Sequence, residues 1–179
     1  SRSARSGKDV SMDGLDRIWA TWRREYVSGE TGEIARASEG KCVLCAVLDL
    51  RKSKPELLVH CGEQAGVILN AYPYNTGHVM VLPYAHAANF GDLDGDCRQE
   101  LFDLVSRSIS AIEKSYVPDG INMGANLGQG AGAGIPDHLH VHVLPRWDGD
   151  TNFMTTVSGT RVLPESLEST LERLRDAFE

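Results

Sequence analysis

Between Asp137 and Arg146 the chain reads Asp-His-Leu-His-Val-His-Val-Leu-Pro-Arg, with imidazole and aliphatic side chains alternating at period two. An extended strand sends successive residues to opposite faces. His138, His140 and His142 therefore share one face, while Leu139, Val141 and Val143 point into a core. Same-face neighbours on a strand stand roughly 7 Å apart, near enough for three rings to serve a single bound group. These three are half of the chain's 6 histidines. A lone histidine on a strand is ordinarily a structural hydrogen-bonder. Three on one face are costly to bury without a ligand, because each ring nitrogen needs a partner. A three-histidine zinc centre requires nitrogens converging at about 2.0–2.1 Å, which this spacing on a flat strand does not readily give. A nucleophilic or proton-transferring imidazole between two orienting neighbours suits the spacing better.

The approach to this strand, Gly124-Ala125-Asn126-Leu127-Gly128-Gln129-Gly130-Ala131-Gly132-Ala133-Gly134, carries five glycines in eleven residues. Glycine lets backbone N–H groups come close to a ligand and form an anion-binding nest. The plain alternative is a surface loop. No Lys-Ser/Thr pair follows, so a P-loop is a poor match. The loop runs straight into the histidines, and a glycine nest beside an imidazole nucleophile points to phosphorus chemistry.

At 179 residues the chain is read as one domain over 13–179 behind a flexible tail at 1–12. A net charge of −7 argues against a nucleic-acid or anionic-membrane surface, since both need a basic face. A small anionic ligand needs only local donors and stays open. No apolar run reaches spanning length and no secretory signal is visible, so no membrane partner is expected. Four cysteines in a chain this size suggest a reducing compartment, hence a cytoplasmic protein.

Apolar periodicity places an amphipathic segment over 13–26, through Leu15, Ile18, Trp19, Trp22 and Tyr26, and a polar loop from Gly29 to Gly40. Strands are expected at Leu57–Cys61, Gly66–Ala71 and His78–Leu82, the last stopped by Pro83. A helix capped by Asp94 or Asp96 should run to about Tyr116, burying Leu101, Leu104, Val105, Ile109 and Ile112. Further strands are expected at Ile121–Leu127 and Thr155–Val162. A closing helix, with Pro164 in its first turn, should align Leu167, Leu171, Leu174 and Phe178. This order predicts an α+β domain with a largely antiparallel sheet.

His138-Leu139-His140-Val141-His142-Val143-Leu144 resembles the signature of the histidine triad (HIT) family. So do Ile18-Trp19-Ala20-Thr21-Trp22-Arg23-Arg24-Glu25-Tyr26, Cys42-x-x-Cys45, Asn70 with Pro73-Tyr74-Asn75-x-Gly77-His78, and Asn126-x-Gly128. The resemblance covers about residues 15 to 155 and is greatest to bacterial members acting on diadenosine polyphosphates. It implies a HIT-like fold, a five-stranded, mostly antiparallel sheet with packed helices, continued across a homodimer. It also implies an adenine nucleotide substrate. His140 would attack the α-phosphorus and form a nucleotidyl-imidazole. His142 and His78 would position the phosphate, and a main-chain carbonyl would hold the other nitrogen of His140. Asn70 would contact the ribose, and Asn126, Gly128, Gly132 and Gly134 the phosphate oxygens. His138 completes the triad.

Two departures concern the acceptor. Typical hydrolase members have Gln four residues before the first histidine, where this chain has Gly134, and the loop from Asn126 to His138 is one residue longer than usual. The space left there suits inorganic phosphate, so phosphorolysis is expected to compete with hydrolysis or replace it. Other readings are an adenosine phosphoramidate hydrolase, a non-catalytic adenine-nucleotide-binding regulatory module, and a hydrolase with a histidine-bound catalytic zinc. No organic cofactor is expected.

Cys42 and Cys45 can be read as two buried thiols, as a redox pair without its usual strand-helix setting, or as half of a zinc site. The resemblance supplies the other half. Family members with such a knuckle use the histidine just after the second strand of that segment and the first triad histidine, here His86 and His138. A structural zinc on Cys42, Cys45, His86 and His138 is expected.

Overall fold

The computed structural model describes residues 42–49, 56–151 and 163–179. The expected tail over 1–12, helix over 13–26, loop over 29–40 and strand over 155–162 lie outside the described residues. The first described element is a short helix, α1 (Val43–Asp49). Strands β1 (Leu58–Cys61), β2 (Ala65–Leu69) and β3 (Val79–Pro83) follow as a meander. The long helix α2 (Gly95–Tyr116) crosses to β4 (Gly120–Gly124), and the glycine-rich loop leads to β5 (Val141–Arg146) and helix α3 (Leu167–Phe178).

Among the described residues one five-stranded sheet forms in the order β1-β2-β3-β5-β4, with every pairing antiparallel. The side-chain alternation of each strand divides the apolar residues between its two faces. One face carries Val67, Leu69, Val79, Val81, Leu139, Val141 and Val143, which pack against Leu101, Leu104, Val105 and Ile112 of α2 and Leu171 and Leu174 of α3. The expected stripe of α2 is thus the buried one, with Ile109 at its margin. On the other face Leu58, Ile68 and Leu82 meet Leu44 and Leu48 of α1.

Local chemistry sets the ends. Asp94 caps α2 by accepting the Cys97 N–H at 2.8 Å, in keeping with the preference for a short acceptor there. Its C-terminus closes with Val117 at φ 47°, a left-handed conformation that β-branched residues resist. Val117→Gly is expected to raise stability by about 1 kcal/mol in urea unfolding, since the side chain is 81% exposed and contributes little packing. Helix α3 begins after Ser166, whose hydroxyl accepts the Ser169 N–H at 3.3 Å, so Pro164 precedes the helix rather than opening it. The strand expected to reach Leu127 stops at Gly124, where the glycine-rich run begins.

Glu165 ties α3 to α2. Its carboxylate accepts from Tyr116 Oη at 2.7 Å, Ser169 Oγ at 3.0 Å, Thr170 Oγ1 at 3.1 Å and Arg173 Nε at 3.1 Å. Burial alone would raise its pKa, but these four donors outweigh that and hold it below its ordinary value of 4.5. A carboxylate depressed in the folded state stabilises fully above its unfolded pKa, and the contribution is lost as pH falls through the folded one. Acid unfolding of Glu165→Gln is therefore expected to show a shallower loss of stability below about pH 5 than the parent.

Candidate active site and metal centre

The paired part of β5 begins at Val141, so His138 and His140 lie just ahead of it. The reason is β3, which ends at Pro83. Continuing the β3–β5 register (Val81↔Val141) would set Pro83 against Leu139, and proline has no N–H for the ladder. The Leu139 N–H instead reaches the Ala87 carbonyl at 2.6 Å. Alternation survives: Leu139, Val141 and Val143 enter the core, and the three histidines, each under a tenth exposed, face the other way. They do not serve a single group. His138 turns to one cluster, while His140 and His142 belong to another with His78.

In that second group the hydrogen bonds determine where each proton sits. Nδ1 of His140 lies 2.8 Å from the carbonyl of His138, and a carbonyl only accepts, so Nδ1 carries the proton and Nε2 the lone pair. Thr76 Oγ1 is the one fully enclosed side-chain polar atom without a partner among the described residues. Among the described residues no hydrogen bond reaches Nε2 of His140. Behind it, the Tyr74 N–H donates to Nδ1 of His78 at 3.0 Å, so the His78 proton is on Nε2. That nitrogen stands 2.9 Å from Nδ1 of His142 and donates to it. His142 in its neutral form is thereby left with its proton on Nε2. One imidazole carries its lone pair on Nε2 and its neighbour, with ring centroids 5.0 Å away, carries its proton there.

Asn70 is buried behind His78. Its Oδ1 accepts the Tyr72 N–H at 3.0 Å and its Nδ2 lies 3.4 Å from Nδ1 of His78. The Tyr74 ring stacks on His142 with centroids 5.6 Å apart and tilts over His78 at 4.6 Å. Sequence reasoning gave Tyr74 no part. Its main-chain N–H leaves no mark in residue type, and only its place in the turn before His78 hinted at it.

Gly124 pairs with His142, so the glycine loop leaves β4 beside the histidines. Gly128 at φ 78° and Gly132 at φ 86° take backbone angles that suit glycine. The Gly132 N–H is spent on the Gln129 carbonyl at 2.9 Å. That glycine shapes the turn rather than offering a donor. Asn126 is half-buried and Gly128 and Gly134 are exposed.

His138 lies with Cys42, Cys45 and His86, and the four ligand atoms are all within 4.8 Å of one another. Nδ1 of His138 is 3.4 Å from each sulfur, and Nδ1 of His86 is 3.3 Å from Cys45 Sγ. A tetrahedral ion with Zn–S of about 2.3 Å and Zn–N of about 2.0–2.1 Å separates S from N by about 3.5 Å. The donor set fits. Nε2–H of His138 donates to the Pro83 carbonyl at 2.9 Å, which leaves Nδ1 unprotonated and turned to the sulfurs. Burial pushes the His138 pKa down, against the pull of the Pro83 carbonyl, so the ring is neutral as a ligand must be. Burial, with Cys42 adding to it, pushes the Cys45 thiol up to about 11, a cost that a bound cation reverses. The cluster could hold a metal ion.

Comparison with known proteins points to one family. The HIT domain family model matches residues 51–149. An AP-4-A phosphorylase of Mycobacterium tuberculosis is 35% identical over 159 residues, covering 88% of this chain and 82% of that one. The crystal structure of a Zn-bound histidine triad family protein from Mycobacterium smegmatis superposes with a TM-score of 0.61 at 28% identity, over 76% of this chain and 92% of that chain. A hypothetical histidine triad nucleotide-binding protein from Sulfolobus tokodaii gives the same TM-score, 0.61, and the same 28% identity, over 76% of this chain and 91% of that one. Among the described residues no helix is long and apolar enough to cross a membrane. With the triad, the antiparallel sheet and the matched family model in agreement, this chain belongs to the HIT family.

Proposed function

We propose that the protein cleaves diadenosine polyphosphates such as diadenosine tetraphosphate at the α-phosphorus, through a covalent nucleotidyl intermediate on His140, with inorganic phosphate or water as acceptor. The observation that carries this reading is the tautomer pair at the site: an Nε2 lone pair on His140 beside an Nε2–H on His142. The similarity to an AP-4-A phosphorylase supports the substrate class.

The Nε2 lone pair of His140 forms a bond to the α-phosphorus, and the bond from phosphorus to the bridging oxygen breaks. His142, held by His78, donates its N–H to a phosphoryl oxygen as charge develops there. ATP leaves from diadenosine tetraphosphate. In the phosphorimidazole the imidazole is a good leaving group, so an acceptor oxygen bonds to phosphorus, the phosphorus–nitrogen bond breaks, and His140 regains its lone pair. With phosphate the second product is ADP; with water it is AMP. Asn126, Gly128 and Gly134 line the phosphates, Gly132 holds the loop's shape, and Asn70 steadies His78 beside the ribose. The exposed Gly134, without a glutamine side chain, leaves room for phosphate.

Cys42, Cys45, His86 and His138 hold a structural zinc that fastens α1 to the strand before the triad, and no organic cofactor takes part. The edge strand β4, exposed along most of its length and carrying Met123 at 50% exposure, supports a homodimer whose sheets join there. A reducing, cytoplasmic setting suits the four cysteines, none of which is joined in a disulfide among the described residues. The test is to incubate the protein with diadenosine tetraphosphate, with and without phosphate, and separate the nucleotides. ATP with ADP is expected when phosphate is present, with AMP replacing ADP when it is withheld. Identical products under both conditions would remove phosphate as an acceptor.

A further inference from the structure

We propose that Asn75 and Asp150 are a pair of positioning residues that sets the protons of His78 and His142 from the far end of β5. This deepens the proposed function and rests on it. The proton of His78 is kept on Nε2 by donors aimed at its Nδ1, the Tyr74 N–H at 3.0 Å and the Asn70 amide at 3.4 Å. Both donors belong to the turn between β2 and β3, where the Tyr72 N–H orients Asn70 through Oδ1 at 3.0 Å. That turn is fastened at Asn75. The Asn75 amide N–H groups donate to Asp150 Oδ2 at 2.9 Å and to the Pro145 carbonyl at 3.2 Å. Its Oδ1 accepts the Thr76 N–H at 3.2 Å, and its carbonyl accepts the His78 N–H at 3.3 Å.

Asp150 is a firm anchor. Its side chain is 8% exposed, and a carboxylate so enclosed is stable only when its oxygens are satisfied. Arg146 grips both of them, with Nε at 2.7 Å and Nη2 at 2.8 Å. The Trp147 N–H at 3.2 Å and the Thr151 hydroxyl at 3.1 Å add to the hold. Arg146 also reaches Asn122 of β4 at 2.7 Å. Gly77, at φ 80°, lets the turn press on the same end of β5, since a Cβ there would meet Tyr116 at 3.0 Å and Pro145 at 3.3 Å. The turn that orders the protons is thus tied to the strand that carries His142, across 75 residues of sequence. Cutting the tie frees the Tyr74 N–H to drift from His78. His78 can then hold its proton on Nδ1, turn a lone pair to His142 and draw the His142 proton onto Nδ1. The N–H that meets the phosphoryl oxygen is lost.

The test uses Asn75→Ala, which spares the Arg146–Asp150 pair, together with Asp150→Ala and the double variant. The protons of His78 and His142 are read by long-range proton–nitrogen NMR on protein labelled with ¹⁵N-histidine, and the folded fraction by circular dichroism. Formation of nucleotidyl-His140 in a single turnover is set against the Kd for a non-hydrolysable diadenosine polyphosphate analogue. Each single variant is expected to form the adduct about 10-fold or more slowly, with Kd held within about threefold. Nδ1–H signals should appear on both rings. The double variant should be no slower than the slower single one, because both changes cut one tie. Folded single variants with the parent's rate and tautomers would overturn the proposal. So would losses that add in the double variant, or losses of rate and affinity that both track the unfolded fraction. If the parent forms no nucleotidyl-His140, the proposed function falls, whereas the tautomers still decide whether Asn75 and Asp150 order these rings.

Discussion

His140→Ala is expected to lower kcat for α-phosphorus cleavage by about 10⁴-fold or more, while the Kd for a non-hydrolysable analogue changes by only a few fold. The size of the effect follows from the other imidazoles around the site, none of which can take over. The lone pair of His142 lies on Nδ1 and receives the proton of His78. The lone pair of His78 receives the Tyr74 N–H. Both nitrogens of His138 are engaged, by the Pro83 carbonyl and by the cysteine sulfurs. His140 alone among them carries a lone pair that no hydrogen bond from the described residues reaches. Its loss removes a buried ring and leaves the His138 carbonyl without that partner, costing about 1–3 kcal/mol, so urea unfolding should stay cooperative. Turnover by the alanine variant within about tenfold of the parent would mean that bond-making occurs elsewhere.

The second large effect concerns the metal. Cys45→Ser, or stripping with a strong chelator, is expected to destabilise the protein by on the order of 3 kcal/mol or more, read as a lower urea midpoint together with loss of zinc. Helix α1 has 7 residues, too few to hold a helix unaided. What fastens it is the burial of Leu44 and Leu48 against Leu58, Ile68 and Leu82, and its two cysteines facing His86 and His138. Without the ion, four donors converge on a space with no charge to balance them. The neutral thiols can pair with the imidazoles, yet nothing then draws all four together. Protein purified without chelator that holds no zinc, and has the same midpoint with or without chelator, would contradict this.

Much of the sheet was legible because its residues obey period two. Val67, Leu69, Val79, Val81, Val141 and Val143 alternate with residues of the other face, and turn chemistry at Gly77 and Pro83 marks the ends. The triad's common face was legible for the same reason. What the alternation could not carry was the division of labour among the three rings. Period two places side chains on a face, but the target of each ring depends on Cys42, Pro83 and Tyr74, which lie far off in sequence. The donors that decide the tautomers are also main-chain groups, and residue type does not encode them. For Gly132, the angle was foreseeable from its being glycine, whereas the use of its N–H within the loop was not.

Strand ends went astray where local propensity was overruled. Ile121 to Leu127 reads as one extended run, but the ladder to β5 stops at Gly124, and Ala125 and Asn126 enter the loop instead. Pro164 has the preferred chemistry of a first helical turn, yet the serine two residues later supplies the acceptor that starts α3. The metal ligands required the resemblance. Spacing gave Cys42 and Cys45, while His86 and His138 lie 41 and 93 residues beyond Cys45 and meet it only through the sheet.

The claim on which the account stands is that His140 Nε2 bonds transiently to phosphorus. Intact-mass spectrometry of protein quenched within the first turnovers of diadenosine tetraphosphate tests it most directly. The account predicts a species heavier by one adenosine monophosphate unit, mapped by peptide sequencing to His140 and discharged as ADP on adding phosphate. Rapid turnover with no such species at any quench time, or an adduct mapped to another residue, would contradict it.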